Sequence, residues 1–311
     1  MFDTPLLLIG FNRPDLFIDL IGTLRDLSPT NIYIAIDGPR RGNKDDEVKV
    51  ERTIASIELI DWRCDIKILK RSSNLGCGRA VSSAISWVME NESKVIILED
   101  DIRPNNSFFK FCSDALDRFK DDERIMTVGG HSLIELPNEK DTFRLSKYPE
   151  IWGWATWKRS WELYEFSLND LPKISFNNLL SIYGGNFVLA FQSSIQLRKM
   201  RSNAIDTWDY QLQYASFLHN KFHLLPNLNL TDNVGFNSQA THTKYLPLPS
   251  PAKKEILNLK FVNDVVISED FELQTRRHLQ RQILTSFKSH SIGQIKVLAK
   301  RAIKEIRILL R

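Results

Sequence analysis

Residues 95–104, VIILEDDIRP, set four apolar β-formers directly before three acids, Glu99, Asp100 and Asp101. Val95–Leu98 lack polar alternation and predict a strand buried on both faces. Its end then lies near the interior, where repelling carboxylates are unfavourable unless a cation neutralises them. A simpler reading is an Asp-rich turn capping the next helix, with Asn105, Asn106 and Ser107 ahead of Phe108. The chemistry that uses such acids is departure of a diphosphate. A divalent cation, Mn2+ or Mg2+, held by one or two carboxylates keeps open positions for phosphate oxygens. Asn74, Leu75 and Gly76 before a helical stretch offer backbone N–H groups to phosphate, with Arg79 one turn in.

These residues recur at one place in a repeating pattern. Strands are expected at 5–11, 31–38, 64–71 and 94–101, with helices through about 27, over 44–59 and after 76. Strands alternating with helices predict an α/β fold with a mostly parallel central sheet and helices on both faces. In such sheets ligands sit at the carboxyl ends of the strands. Asn12–Arg13, Asp37–Gly38, Asn74–Gly76 and Glu99–Asp101 all fall there. That convergence favours a site over a cap.

A helix is expected at 107–120 and a strand at 125–130. Residues 148–164 then gather four of the seven tryptophans within 152–161. Helical segments follow to about Met200 and over 207–221, then a strand and long loop over 222–243. From Glu269 the chain reads as helical to its end.

Composition sets bounds. The chain has 311 residues, 42% hydrophobic and 26% charged, with a net charge of +4, which gives no nucleic-acid signature. Cys64, Cys77 and Cys112 are too few and scattered for a disulfide framework or zinc site. The first fifteen residues lack a basic region and a long apolar run, so no signal peptide is expected, and no run approaches the ~18 apolar residues of a membrane span. A cytoplasmic protein is expected. Charge is uneven: Arg276–Arg311 holds ten Lys/Arg against one acid, Glu305. Ile292, Ile295, Leu298, Ala302, Ile306 and Leu309 share a helical face opposite Lys296, Lys300, Lys304, Arg307 and Arg311. Such a basic amphipathic helix suits an anionic membrane surface at the inner face of the cytoplasmic membrane, or packing on protein.

Residues 5–243 resemble the GT-A-fold glycosyltransferases, particularly the N-acetylglucosaminyltransferase I-like group and its bacterial relatives. The resemblance rests, in order, on GFNRPD, AIDGPR, NLGCGRAVSSAISW, LEDDIRPNNSFFKF, WGWATW, WDY and NVGFNSQATHT. It implies a catalytic domain over 1–268, with a nucleotide-sugar half to 130 and an acceptor half over 131–268, followed by a helical region over 269–311. It implies an inverting, metal-dependent transfer from a nucleotide-sugar, of UDP type, to a glycan or lipid-linked acceptor in surface polysaccharide synthesis. By the same resemblance Arg13 and Asp37 match nucleotide-holding positions, Asp101 the direct metal ligand, His242 a metal or diphosphate contact, and Asp209 the general base.

Structural alternatives stand beside these. Asp37 could begin an Asp-Gly turn, Arg13 could be a surface arginine, and Asp206 or Asp209 could cap a helix. Trp152 and Trp154 around Gly153 suggest an acceptor-side wall or a core, and His131 an acceptor contact or a loop residue. His219, His223 and Cys77 read as structural. Two rival functions remain: a sugar-nucleotidyltransferase, which needs a Gly- and Arg-rich loop with lysine after the first strand that GFNRPD lacks, and a non-catalytic nucleotide-sugar-binding module.

Overall fold

A computed structural model describes residues 2–136, 142–168, 173–235, 250–256, 259–261 and 267–288. The first half alternates β1 (Leu6–Gly10), α1 (Pro14–Leu24), β2 (Asn31–Ile36), α2 (Lys44–Ala55), β3 (Asp65–Lys70), α3 (Cys77–Met89) and β4 (Lys94–Glu99). β5 (Ile102–Pro104), α4 (Asn106–Arg118), β6 (Ile125–Gly129), β7 (Phe143–Ser146), β8 (Trp154–Trp157) and α5 (Lys158–Trp161) follow. The described chain continues through α6 (Phe176–Ile182), α7 (Phe187–Arg201), α8 (Asp209–Leu218), β9 (Phe222–Pro226), β10 (Thr231–Asn233) and α9 (Glu269–Lys288).

Local rules account for the elements. α1 starts with Pro14 in its first turn and buries Phe17, Leu20, Ile21 and Leu24, one stripe at helical spacing. The Asn105 side chain caps α4 by accepting from the Phe108 N–H at 3.0 Å. Val95–Leu98 are at most 1% exposed, so β4 is buried on both faces, as its unbroken apolar run requires.

The strands form one sheet in the order β3-β2-β1-β4-β8-β6-β9-β7. β8 and β7 run against the other six, so the sheet is mostly parallel. Alternate residues of β1, β2 and β4 feed two cores. Leu6, Leu8, Ile32, Ile34, Ile96 and Leu98 pack with α1, α2 and α4. Leu7, Ile9, Tyr33, Val95 and Ile97 pack on the other face with Val81, Ala84, Ile85 and Val88 of α3 and Leu212 and Ala215 of α8. Chain order reverses between β1, which continues outward to β2 and β3, and β4 on its other side. This places the switch point at Gly10–Arg13 and Glu99–Asp101.

The tryptophan-rich stretch resolves as β8, inserted antiparallel between β4 and β6, with Trp154 opposite Ile97. Trp154 is 1% exposed and lies in the α3/α8 core, stacked on Trp208 with ring centroids 5.4 Å apart. This corrects its reading as an acceptor-side wall: insertion of β8 in mid-sheet leaves its side chains no free face. Beyond β7, α9 packs through Leu279 and Ile283 onto a cluster that includes Tyr183 and Leu189. The basic amphipathic stretch 292–311 lies outside the described residues. Among the described residues no helix is long and apolar enough to cross a membrane.

Candidate active site

Four chain segments meet at the switch point: the β1–α1 turn, the end of β4, the start of α3 and the start of α8. Arg13, leaving β1, crosses to the end of β4. Its guanidinium pairs with both oxygens of Asp100, the Nε bond measuring 3.1 Å, and reaches Asp101 Oδ2 at 2.9 Å. A cation thus sits over the three acids, supplied by the chain itself. One arginine does not balance three carboxylates. Burial, then Asp101 and Asp100, raise the Glu99 carboxyl to about 8. Burial raises Asp100 to about 6 against the lowering effect of Arg13. The residual negative charge, carried by oxygen donors alone, fits a hard divalent cation. Among the described residues no three acidic, imidazole or thiol side chains form a ready cage. Phosphate oxygens and water would therefore have to complete the shell of a cation held by Asp101.

The strand carrying NVG closes over this rim. β10 pairs antiparallel with β5, and the Val234 N–H donates to the Asp101 carbonyl at 2.9 Å. Gly235 lies so near that a Cβ there would overlap the Asp101 carboxylate. His242, further along, lies outside the described residues.

Asp37 and Asn74 are brought together. Asp37 is 7% exposed and accepts from the Gly38 N–H at 2.9 Å, the Leu75 N–H at 3.0 Å and Asn74 Nδ2 at 2.8 Å. Burial raises its carboxyl, and the Leu75 and Gly38 N–H groups act against this. The Asp-Gly turn and the loop before α3 are therefore tied by one carboxylate.

Gly76 opens α3 at φ 81°, a conformation that favours glycine. The helix start does not stand open for phosphate, as its sequence suggests: the Gly78 N–H donates to Asp206 Oδ1 at 2.8 Å. Asp206 thus caps α3 rather than the helix that follows it in sequence. Arg79 is exposed, with its guanidinium 4.8 Å from the Phe166 ring centroid and no described contact to the acids.

Asp209 is the first residue of α8. Among the described residues its hydrogen bonds all fall on Oδ1, from the Thr207 hydroxyl and, at 2.9 Å, from the Tyr210 N–H. Oδ2 remains for another partner, and the charge of Asp209 acts on Glu99 across the site. His131 is fully buried, with Nδ1 at 2.9 Å from Glu150 and Nε2 at 2.9 Å from Ser250. This corrects its reading as an acceptor contact, since both ring nitrogens are engaged. Its ring lies 4.4 Å from that of half-buried Trp152.

Sequence reasoning did not single out Asp46. It is fully buried, binds Asn12 Nδ2 at 2.7 Å and pairs with Arg40, which holds its carboxyl down at about 2. Its bond to Asn12 fixes the turn that aims Arg13. Its signal is faint in sequence, since it reads as one of three first-turn acids of α2.

No protein-family model and no curated protein matches the chain. Among solved structures, the chain is similar to HddC from Yersinia pseudotuberculosis, at 16% identity over 56% of this chain and 87% of that one, with a TM-score of 0.33. It is also similar to 4-diphosphocytidyl-2C-methyl-D-erythritol synthase from Anaerococcus prevotii, at 12% identity over 59% and 85%, with a TM-score of 0.32. A third similarity is to UDP-glucose pyrophosphorylase complexed with UDP-glucose, at 9% identity over 72% and 90%, with a TM-score of 0.34.

Proposed function

We propose that the protein is a GT-A-type, inverting glycosyltransferase that takes a sugar from a nucleotide-sugar, of UDP type, to a glycan or lipid-linked acceptor. The observation that carries this reading is the rim itself. Glu99, Asp100, Asp101 and Arg13 sit at the switch point of a mostly parallel sheet, with the Asp209 carboxylate close enough to act on Glu99.

In this reading Arg13 and Asp37 hold the nucleotide of the donor, Asp37 at the base. A divalent cation bound at Asp101 would neutralise charge on the departing diphosphate. The acceptor oxygen attacks the anomeric carbon as the bond from that carbon to the diphosphate oxygen breaks. Asp209, through Oδ2, takes the proton that the acceptor hydroxyl loses. Attack opposite the leaving group inverts the anomeric configuration. A lipid-linked acceptor is supported by the basic amphipathic sequence of residues 292–311.

The test is a panel of nucleotide-sugars scored for Mn2+- or Mg2+-dependent thermal stabilisation and hydrolysis. Product NMR then follows with the stabilising donor. Stabilisation by a nucleotide-sugar and an inverted product support the reading. Retained configuration would remove the need for Asp209 as base. Pyrophosphate release from a nucleoside triphosphate and a sugar phosphate would make the protein a nucleotidyltransferase instead.

A further inference from the structure

We propose that Asp206 is a positioning residue: seated in a socket formed by Gly76 and Gly78, it fixes the 206–209 segment so that Asp209 faces the acidic rim. This rests on the reading of Asp209 as the base.

The socket is visible in what the two glycines leave out. A Cβ on Gly78 would lie 2.6 Å from the Thr207 carbonyl oxygen and 2.8 Å from Asp206 Oδ1, and one on Gly76 would overlap Asp206 Oδ2. The NLGCG stretch therefore accommodates a segment 128 residues away, and the Gly78 N–H closes on it. The first turn of a helix favours an anion at that point. From there to Asp209 the chain has little freedom. The Thr207 hydroxyl donates to Asp209 Oδ1, and the Thr207 carbonyl accepts from Gln211 Nε2 at 2.8 Å. Trp208 is 3% exposed and stacked on Trp154. Three successive residues are thus each tied to a different element, and the fourth carries the free oxygen. The cap on α3 and the aim of Asp209 become one structural fact.

Kinetics of Asp206→Ala and Asp206→Asn separate this role from a simple cap. Misplacing a reacting group by about 1 Å can lower a rate by ~100-fold. Asp206→Ala is expected to lower kcat by about 30-fold with donor affinity unchanged. Asp206→Asn, whose amide oxygen can still accept from Gly78, should recover most of that loss. Gly78→Ala, which crowds the socket and leaves the carboxylate intact, should reproduce the defect and serves if Asp206→Ala does not fold. An unchanged kcat in a protein that melts earlier would make Asp206 a cap only. Tighter donor binding in Asp206→Ala would make the carboxylate a stand-in for a donor phosphate. Either result overturns the proposal.

A second readout needs no substrate. Cys77, the first residue of α3, is held back as a nucleophile because burial, Glu99, Asp206 and Asp209 all push its thiol up. N-ethylmaleimide labelling of the Cys77 peptide, followed by mass spectrometry, should be about 5-fold faster in Asp206→Ala, which loses both the charge and the bond to the Gly78 N–H, and less accelerated in Asp206→Asn, which loses only the charge. If no nucleotide-sugar is a substrate, the glycosyltransferase reading falls and labelling alone decides whether Asp206 holds the 206–209 segment against α3. Unchanged labelling in Asp206→Ala would overturn it.

Discussion

Arg13 and Arg144 are both largely buried arginines bordering the same sheet, and they serve opposite ends. Arg13 meets carboxylates: Asp100 through two nitrogens and Asp101 through a third, with 19% of its side chain exposed. Arg144, on β7, meets neutral acceptors instead. It donates to the Pro226 and Ile134 carbonyls, Asn227 Oδ1 and the Ser132 hydroxyl, and lies 3.9 Å from the centre of the Phe271 ring. Burial lowers its pKa to about 9, whereas burial of Arg13 is more than reversed by Asp100 and Asp101. Acid outnumbers base at the open rim; at β7 a guanidinium whose two terminal nitrogens meet neutral acceptors ties loops to the sheet. The local charge balance, not burial, separates a site that can take a cation from a structural knot.

The difference can be broken from its structural end first. Arg144→Met removes four hydrogen bonds, three of them buried, and is expected to destabilise the fold by about 3 kcal/mol, net of the relieved desolvation. Activity per folded molecule should be unchanged. Urea denaturation with active-site titration checks both, and an Arg144→Met protein as stable as wild type would remove the contrast.

At the rim the expected effect falls on turnover. Asp209→Asn should lower kcat by about 100-fold, or about 2.7 kcal/mol, because an amide cannot take the acceptor proton. The melting temperature should hold, since the Asn oxygen can accept the same Thr207 and Tyr210 bonds. Steady-state kinetics beside a melting curve distinguish this from a cap, whose removal lowers stability by about 1 kcal/mol and spares turnover.

Asp101→Ala should erase metal-dependent donor stabilisation, worth about 1.4 kcal/mol at ten times the dissociation constant. Arg13 keeps its paired bonds to Asp100, and the repulsion on Glu99 from Asp101 is gone, so the unliganded melting temperature should stay or rise slightly. Unchanged donor binding with manganese would remove Asp101 as the metal ligand.

The smallest effect sharpens the contrast away from the site. His223 is fully buried, its Nδ1 2.8 Å from Thr127 Oγ1, and burial lowers its pKa to about 3. The unfolded state therefore takes up a proton below its own pKa of about 6.5 while the folded state does not, and stability falls as pH drops. Between pH 6.5 and 5.5 wild type should lose about 1 kcal/mol that His223→Gln does not lose. Parallel stability curves for the two proteins would show that His223 is not held neutral.

The unbroken apolar run of Val95–Leu98 and the strand–helix alternation up to Glu99 specify β1 to β4 and the parallel part of the sheet. They also bring Arg13, Asp37, Asn74 and the acidic triplet to the strand ends, because in a parallel sheet every strand finishes on the same rim. Burial at these positions follows local periodicity, so the sequence carries it. Tertiary structure decided the rest. Trp154 became core because β8 inserts between β4 and β6, a pairing no local pattern specifies. Asp206 became the cap of α3 rather than of its own helix, and Arg13 the partner of Asp100, through contacts 128 and 87 residues apart in sequence. Such pairings depend on which groups the folded chain brings together in space. Only the assembled sheet brings those groups within hydrogen-bonding distance.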